Sequence, residues 1–353
     1  MTSDFPYELL RVGPPAASTF TISEIEHRAK LDQNESPVDV PRSVKDQILA
    51  TVAEQAWSRY PQPKQYAEIK RAFGEVVGQP AERLILTVGA DQMIGLAFWA
   101  AGGAGRRARI FEPTYPMFAD FARITGTQAD RVVLGPDFDV AGHGLGDEVE
   151  LLCLVSPNNP TGCGPDRALV EKGLRRDCLV LVDEAYADYA GESVVDLVDQ
   201  HPNLLVARSL SKATLAGVRL GYGIGHPGLI RVLERMIFAP YHLNNLQLAV
   251  AAAFGTVQPH LAAMVQGVVA ERHRVGAALR ELGLRVWPSR ANFLLFEVDD
   301  ASRVNGRLLD GGICVRDVSA MAGLGEHLRV TIGTRPENDL FLEAMASACG
   351  GAP

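Results

Sequence analysis

From about residue 65 onward, short runs rich in branched apolar residues alternate with longer stretches whose apolar residues recur at helical spacing. Parallel strands need a helix-length connection between them, so this alternation is typical of helices packed on a mostly parallel sheet. Strands are predicted at Leu84–Val88, Ala108–Phe111, Arg131–Leu134, Leu151–Val155, Leu179–Val182 and Leu204–Arg208. The predicted fold class is therefore α/β.

Beyond Tyr241 the pattern changes to long helical stretches followed by short strands. The predicted helices are Leu246–Val257 and Leu261–Leu282, and the predicted strands are Leu284–Trp287, Asn292–Glu297 and His327–Ile332. This part is expected to form a smaller α+β domain beside the large one. The predicted division assigns residues 41–243 to the large domain, and an amino-terminal arm (1–40) plus residues 244–353 to the small one.

Composition excludes several classes of partner. The 353 residues are 47% hydrophobic, enough for a substantial core, and carry a formal net charge of −8. Such a chain has no broad basic field to attract nucleic acid or an anionic membrane, so neither is an expected partner. The most apolar stretch, Met93–Gly105, is shorter than the roughly 20 residues of a membrane-spanning helix, and a buried helix is predicted there.

The amino terminus and the cysteines favour a cytoplasmic location. The first residues, MTSDFPYELL, lack the basic segment and apolar stretch of a secretory signal. The cysteines are scattered and never form the close pairs typical of zinc sites or disulfide frameworks. They are Cys153, Cys163, Cys178, Cys314 and Cys349. We therefore expect apolar cysteines in a reducing compartment and no bound metal.

Polar residues follow the predicted strand Leu204–Arg208 directly, in the run Ser209-Leu210-Ser211-Lys212. In open α/β sheets ligands bind at the carboxyl ends of the strands. A lysine there could form an imine with an aldehyde cofactor, and the two serine hydroxyls could bind a phosphate. The ordinary alternative is a solvated surface lysine.

Two further strand ends carry groups suited to a pyridine ring. Asp183 follows the strand Leu179–Val182, with Tyr186 three residues later, and a buried carboxylate there could pair with a protonated ring nitrogen. The alternative is a helix cap. The loop SPNNPTG, which follows the strand Leu151–Val155, could direct the Asn159 amide at a ring oxygen, although its residues are also typical of a plain turn.

The fourth feature is the turn Gly89-Ala90-Asp91, between a predicted strand and the apolar helix after it. Backbone amides at a helix start bind phosphate, and glycine lets the anion approach closely. A tight strand-to-helix turn is the ordinary alternative. Each feature is weak alone, but four strand ends suited to four parts of one cofactor are hard to explain by chance.

With these residues the chain resembles the fold-type I aminotransferases, which use pyridoxal 5′-phosphate (PLP), and is most similar to the histidinol-phosphate aminotransferase family. The resemblance runs from about Leu31 to Met345. Its motifs, in the family's order, are LDQNESP, RYPQP, VGADQ, EPTYPMF, SPNNPTG, LVDEAY, SLSKA, LAGVRLGY, PYHLN, ANFLL, GICVRD and LRVTIGT. The resemblance implies a large domain with a mostly parallel sheet flanked by helices, plus a smaller α+β domain.

The resemblance also implies roles toward the cofactor. The catalytic residues would be Lys212, which holds PLP, Asp183, which pairs with the pyridine nitrogen, and Tyr186. Asn159 and Tyr186 would bind the ring hydroxyl oxygen, and Tyr115 would stack on the ring. The phosphate would be held by Ala90, Asp91, Ser209, Ser211 and Arg219, with Tyr60 contributed by the neighbouring subunit of a homodimer.

For the substrate, the resemblance implies that Arg329 grips the α-carboxylate and that Arg316 faces the distal group, a phosphate in the family. Asn34 and Tyr7 are candidates for covering the site. Once displaced from PLP, the Lys212 amine would shuttle the proton at the substrate Cα. One site would serve two substrates in turn, an amino donor and a keto acid, usually 2-oxoglutarate in this family.

Departures from the family pattern leave the donor open. Lys212 and Arg219 are seven residues apart, one fewer than usual in the family, and Cys163–Asp177 and Gly103–Arg107 are also short. Histidinol phosphate is the leading expected donor. A paralogue acting on another amino acid, aromatic or of specialised metabolism, is one alternative, and a PLP-dependent decarboxylase of the threonine-phosphate type is another. A non-catalytic effector-binding module is disfavoured because the catalytic motifs are intact.

Overall fold

The computed structural model describes residues 27–349. The strands are β1 (Ala29–Lys30), β2 (Leu84–Thr87), β3 (Arg107–Glu112), β4 (Gln128–Val133), β5 (Leu151–Val155), β6 (Leu179–Asp183), β7 (Leu204–Ser209), β8 (Gly221–Gly225), β9 (Phe293–Glu297), β10 (Ile313–Cys314), β11 (Arg316–Asp317) and β12 (His327–Thr331). The six strands predicted before Lys212 are all present, with ends displaced by at most three residues.

A seven-stranded sheet forms the centre of the molecule, in the order β2-β8-β7-β6-β5-β3-β4. Strands β3 to β7 pair in parallel, whereas β8 runs antiparallel to both β2 and β7. Neighbouring residues of one strand enter different cores, because successive side chains point to opposite faces. Leu152 and Leu154 of β5 belong to one apolar cluster, and Leu151 and Cys153 to the other. The mostly parallel sheet, buried on both faces, confirms the predicted fold class.

Strand β8 was not predicted, because three of its five residues are glycine, which is depleted in strands. The structure shows why glycine is needed there. A Cβ on Gly223 would lie 2.2 Å from the sulfur of Met93, and one on Gly221 would lie 2.6 Å from the carbonyl carbon of Gly89. The helix that carries Met93 therefore packs directly against the backbone of β8.

Helices cover both faces of the sheet. They are α1 (Arg42–Glu54), α2 (Pro63–Val77), α3 (Gly89–Ala101), α4 (Met117–Thr125), α5 (Val140–His143), α6 (Arg167–Leu174), α7 (Ala187–Ala190), α8 (Pro227–Met236), α9 (Asn245–Ala252), α10 (Phe254–Glu281), α11 (Ala301–Asp310) and α12 (Arg335–Cys349). Helices α3, α4 and α8 contribute to one core, and the helices that contribute to the other include α2, α6 and α10. The largely buried α3 corresponds to the helix predicted at Met93–Gly105, but it ends at Ala101.

The carboxy-terminal part contains a small antiparallel sheet in the order β11-β12-β9. Strand β1 pairs in parallel with β10, which attaches residues 29–30 to this part of the chain. The domain division at residues 41 and 243 remains a prediction. The strand predicted at Leu284–Trp287 is wrong, because only an isolated bridge joins Val286 to Phe296.

After Tyr241 the two predicted helices are present, but the break between them lies at a different residue. The chain bends between α9 and α10 at Ala253, rather than between residues 257 and 261, and α10 then runs unbroken to Glu281. Within residues 27–349 no single helix has both the length and the apolar character to cross a membrane. The α9–α10 pair, bent by 76°, meets those two criteria only when its two helices are taken together.

Candidate active site

A cavity of about 210 Å³ lies at the carboxyl ends of the parallel strands. Within residues 27–349, thirteen of the fourteen candidate residues line it, namely Asn34, Ala90, Asp91, Tyr115, Asn159, Asp183, Tyr186, Ser209, Ser211, Lys212, Arg219, Arg316 and Arg329. The sheet explains this convergence, because the ends of parallel strands open on one edge. Tyr60 is the exception: it is 76% exposed and makes an edge-on contact with the ring of Tyr241, away from the cavity.

Lys212 follows β7 in a tight turn over Ser211–Leu215. Its Nζ donates a hydrogen bond to the backbone carbonyl of Gln33 at 3.2 Å, and its own carbonyl accepts one from the Tyr189 hydroxyl at 2.6 Å. Burial lowers the pKa of Lys212 to about 8, with the positive charge of Arg329 as the next cause. About a tenth of the amine is therefore neutral at pH 7, far more than for an ordinary lysine, and the neutral form is the one that a nucleophile or a base requires.

Asp183 is the last residue of β6, in register between Val155 of β5 and Ala207 of β7. Its carboxylate accepts a hydrogen bond from the backbone N–H of Ala185 at 2.9 Å. Burial raises the pKa of Asp183 to about 7, with that hydrogen bond opposing the shift. A buried carboxylate of this kind is strongly stabilised by a cationic partner, such as a protonated ring nitrogen.

The start of α3 forms another wall of the cavity. Gly89 adopts φ +73°, and a Cβ at this position would lie 3.0 Å from an Arg219 guanidinium nitrogen. That guanidinium donates to Asp91 at 2.9 Å and to the Ser211 hydroxyl at 3.2 Å. The Tyr115 hydroxyl donates to the other Asp91 oxygen at 3.0 Å. The helix start, a hydroxyl and a guanidinium thus converge on a small space, which suits an anion.

The loop between Lys212 and Arg219 has an unusual backbone conformation. Thr214 adopts φ +88° and Arg219 adopts φ +57°. A positive φ is disfavoured for residues with a Cβ, most of all for β-branched ones. The Thr214 hydroxyl donates to the carbonyl of Val38, which joins this loop to the segment after Asn34. Although Lys212 and Arg219 are one residue closer in sequence than is usual in the family, Arg219 still lines the cavity.

Strands β11 and β12 contribute Arg316 and Arg329 to another wall of the cavity. Arg316 and Arg329 are direct partners across this antiparallel pair, and both are buried. Arg329 donates from Nη1 to Asn159 Oδ1 and from Nη2 to the backbone carbonyl of Asp32, each at 2.5 Å. Burial, opposed by Tyr186 and assisted by the charge of Arg316, lowers the pKa of Arg329 to about 10. Two cations side by side give this wall the charge that would suit an anion.

Asn34 connects the amino-terminal segment to both parts of the site. Its side-chain nitrogen donates to the Tyr186 hydroxyl at 2.9 Å, and its side-chain oxygen accepts from the Thr331 hydroxyl at 3.0 Å. Its backbone carbonyl accepts from the Asn292 amide at 3.0 Å. Burial raises the pKa of Tyr186 to about 12, so this hydroxyl keeps its proton and can itself donate. Asn34 is thus a buried link that positions Tyr186.

Two polar cavity residues were not among the predicted ones: Asp32, whose carboxylate is buried, and Gln33, whose carbonyl accepts from Lys212. Both lie in the LDQNESP motif, whose polar run after a buried leucine was the available signal. Tyr7, the other candidate for covering the site, lies outside the described residues. Within residues 27–349 no cluster of His, Cys, Asp or Glu could hold a metal ion.

The residues present fit the cofactor that the sequence suggested. A buried amine with a lowered pKa faces the same cavity as a buried carboxylate with a raised pKa. A glycine turn leaves room where a Cβ would contact Arg219. Among the described ion pairs none involves Lys212 or Asp183, so neither group is neutralised by a fixed partner. An aldehyde with a basic ring nitrogen and a phosphate would satisfy all three features.

Comparison with known proteins agrees with this chemistry. The family model described as aminotransferase class I and II matches residues 26–345. The histidinol-phosphate aminotransferase of Chlorobaculum tepidum is 35% identical over 332 residues, covering 91% of this chain and 94% of that relative. The enzyme of the same name from Thermococcus kodakarensis is 34% identical over 349 residues, covering 96% and 97%.

A solved structure shares the fold. It is histidinol-phosphate aminotransferase from Sinorhizobium meliloti in complex with pyridoxal-5′-phosphate, with a TM-score of 0.80 and 24% identity over 92% of each chain.

Proposed function

This chain belongs to the class I and class II aminotransferases, and from that membership we propose that it transfers an amino group from histidinol phosphate to a 2-keto acid such as 2-oxoglutarate. It is a PLP-dependent aminotransferase; the identity of the two substrates and the role of each residue are the proposal. The observation that carries it is the pair of buried arginines, Arg316 and Arg329, in the same cavity as Lys212.

When bound, PLP supplies an aldehyde that carries the amino group and an electron-accepting ring. We propose that Lys212 holds the aldehyde and that Asp183 pairs with the ring nitrogen. Asn159 and Tyr186 would bind the ring hydroxyl oxygen, and Tyr115 would stack on the ring. The start of α3 at Ala90 and Asp91, with Ser209, Ser211 and Arg219, would hold the phosphate, a role supported by their common position in the cavity.

Lys212 is the proposed acid–base group. Its lowered pKa of about 8 lets the freed amine both accept and return a proton near neutral pH. The Tyr189 hydroxyl donates a hydrogen bond to the backbone carbonyl of Lys212, which fixes the backbone from which the lysine side chain extends. The carbonyl of Gln33 accepts a hydrogen bond from the Lys212 amine. Lys212 would take the proton from the substrate Cα, with Asn34 keeping Tyr186 in place in the same cavity.

The arginine pair explains how one site can accept two substrates. Arg329 is held by Asn159 and by the carbonyl of Asp32, which suits a ligand that fixes one anionic group, an α-carboxylate. Histidinol phosphate has no carboxylate, so its phosphate is the only anion of the donor, and Arg316 would bind it. With the keto acid, Arg329 would bind the α-carboxylate and Arg316 the distal carboxylate. Both substrates carry a negative charge that a buried guanidinium can bind.

The test is a donor panel with PLP-loaded protein and 2-oxoglutarate, in which glutamate formation is measured. Histidinol phosphate is expected to give the highest kcat/KM. Arg316→Met should raise the KM for histidinol phosphate at least about tenfold, which corresponds to about 1.4 kcal/mol. Arg285→Met, which removes an exposed arginine outside the cavity, is the control and should leave this KM unchanged. Lys212→Ala should abolish transfer. Preference for another amino acid would establish a paralogue, and carbon dioxide release from threonine phosphate without a keto acid would establish a decarboxylase.

We propose that the enzyme acts as a homodimer. Trp57, Tyr60, Phe238 and Tyr241 are each more than half exposed, a grouping of aromatic surface that association would cover. Tyr60 lies outside its own cavity, so it would act on a neighbouring one. We expect Tyr60→Phe to bind PLP weakly and Lys212→Ala to be inactive. When the two variants are co-expressed, the mixed dimer should have one normal site, which combines Lys212 of one subunit with Tyr60 of the other. Light scattering that shows a monomer would contradict the proposal.

A cytoplasmic location is also proposed. The described cysteines, Cys153, Cys163, Cys178 and Cys314, are all free thiols, which a reducing compartment preserves. Fractionation of cells that express the tagged full chain would test this, and recovery outside the cytoplasm would contradict it.

A further inference from the structure

The arginine wall of the site contains an electrostatic conflict. Arg316 and Arg329 lie directly opposite each other in an antiparallel pair, where side chains share one face of the sheet. Arg329 is 5% exposed and Arg316 is 9% exposed, so water screens their repulsion only weakly. Like charges in this arrangement destabilise a sheet unless a negative charge lies near them.

Asp32 supplies that negative charge. Its side chain is 3% exposed, and its Oδ2 lies 3.6 Å from Arg316 Nη2. The other carboxylate oxygen lies 3.3 Å from Lys30 Nζ, without hydrogen-bond geometry, and makes no hydrogen bond within residues 27–349. Lys30 is itself drawn toward solvent by Glu35, at 2.5 Å. The carboxylate of Asp32 thus places a negative charge beside Arg316 in the cavity wall.

We propose that Asp32 is a specificity-determining residue, which competes with the distal anion of each substrate for Arg316. The inference rests on the proposed role of Arg316 as the distal-group ligand. At 3.6 Å the contact is longer than a charge-assisted hydrogen bond, so a substrate anion that approaches at normal hydrogen-bond distance displaces it. Only substrates whose distal group binds Arg316 better than Asp32 does are then held firmly.

This competition has a purpose in a site that must exchange substrates. If the two arginines had no counter-charge, the wall would carry two positive charges and would retain any dianion, including the product of each half-reaction. The carboxylate of Asp32 offsets part of that positive charge. Asp32 therefore lowers the affinity of Arg316 for every distal anion, and its carboxylate lies near enough to take the place of the anion when the substrate leaves.

The experiment compares glutarate with valerate as ligands of the PLP-loaded enzyme. The two have five carbons each and cannot be transaminated, and they differ only in the distal carboxylate. Asp32→Asn, which keeps the size and the backbone carbonyl that binds Arg329, should tighten glutarate binding about tenfold and leave valerate within about twofold. Asp46→Asn, a surface aspartate paired with Arg42, is the matched control.

Lys30→Gln gives an independent test of opposite sign. Lys30 is 40% exposed, so its removal should leave the fold intact, and Asp32 would then pair more closely with Arg316. Glutarate binding should weaken several-fold, again with valerate unchanged. This variant keeps the inference testable if Asp32→Asn fails to fold.

The outcomes separate this inference from the proposed function. If the wild-type enzyme does not prefer glutarate to valerate, Arg316 does not bind a distal anion and the proposed substrate class fails. If the preference exists but neither variant shifts it in the stated direction, the role of Asp32 is overturned. Weaker binding of both ligands to Asp32→Asn would also overturn it, because that result would mean that Asp32 only holds the segment in place.

Discussion

Replacing Asp183 by asparagine should make the PLP-free protein more stable and the enzyme worse. The folded protein raises the pKa of this carboxyl from 3.8 to about 7, chiefly by burial. The folded state therefore holds the proton of Asp183 more tightly than the unfolded state does. Ionisation of Asp183 consequently destabilises the fold, and this cost is absent below the unfolded pKa and complete above pH 7. At 1.36 kcal/mol per pKa unit, the ionised side chain costs the fold about 4 kcal/mol at pH 8.

Asparagine has the same shape without the charge, and its side-chain oxygen can accept the N–H of Ala185 as the carboxylate does. Urea unfolding of the two PLP-free proteins should show Asp183→Asn about 4 kcal/mol more stable at pH 8, and about 1 kcal/mol more stable at pH 4.5. The same substitution should weaken PLP binding, because the ring nitrogen loses its counter-ion. A stability difference that does not depend on pH, or a less stable variant at pH 8, would refute the reasoning.

Three further predictions concern the surroundings of the cofactor. Lys212→Met should stabilise the PLP-free protein by about 3 kcal/mol at pH 7, because burial lowers the lysine pKa from 10.5 to about 8. The gain in the free energy of unfolding, measured in urea, should fade as pH rises from 8 to 10.5, and a gain that does not change with pH would contradict the prediction. Gly221→Ala should raise the Kd for PLP at least about tenfold in a fluorescence titration, because its Cβ would lie 2.6 Å from Gly89 and displace the turn at the start of α3. Arg208→Met should lower the free energy of unfolding by about 3 kcal/mol, because it leaves the carboxylate of Glu184 buried without its cation at 2.8 Å, and a loss below about 1 kcal/mol would show that this pair contributes little.

The candidate site residues at strand ends could be predicted from local patterns in the sequence, whereas the roles of Arg219, Arg316 and Arg329 were implied by the family resemblance. Asp183 ends one apolar strand run, Lys212 lies in the loop after another, and Gly89 stands between a strand and an apolar helix. In a parallel sheet the ends of such strands must meet at one edge, so three separate local patterns imply one site. The α/β fold class follows from the same periodicity.

What only the tertiary structure decided involves residues far apart in the chain. Asp32 meets Arg329 across 297 positions, and the register of β11 and β12 that places Arg316 opposite Arg329 depends on which residues of two short strands pair. A short strand without alternation carries little information about its register. Strand β8 was missed for a related reason, since its glycines reflect the close approach of α3 and not any preference of their own. Local sequence patterns report which face of an element is buried, whereas the charge balance of the arginine wall arises from contacts that form only when distant segments pack.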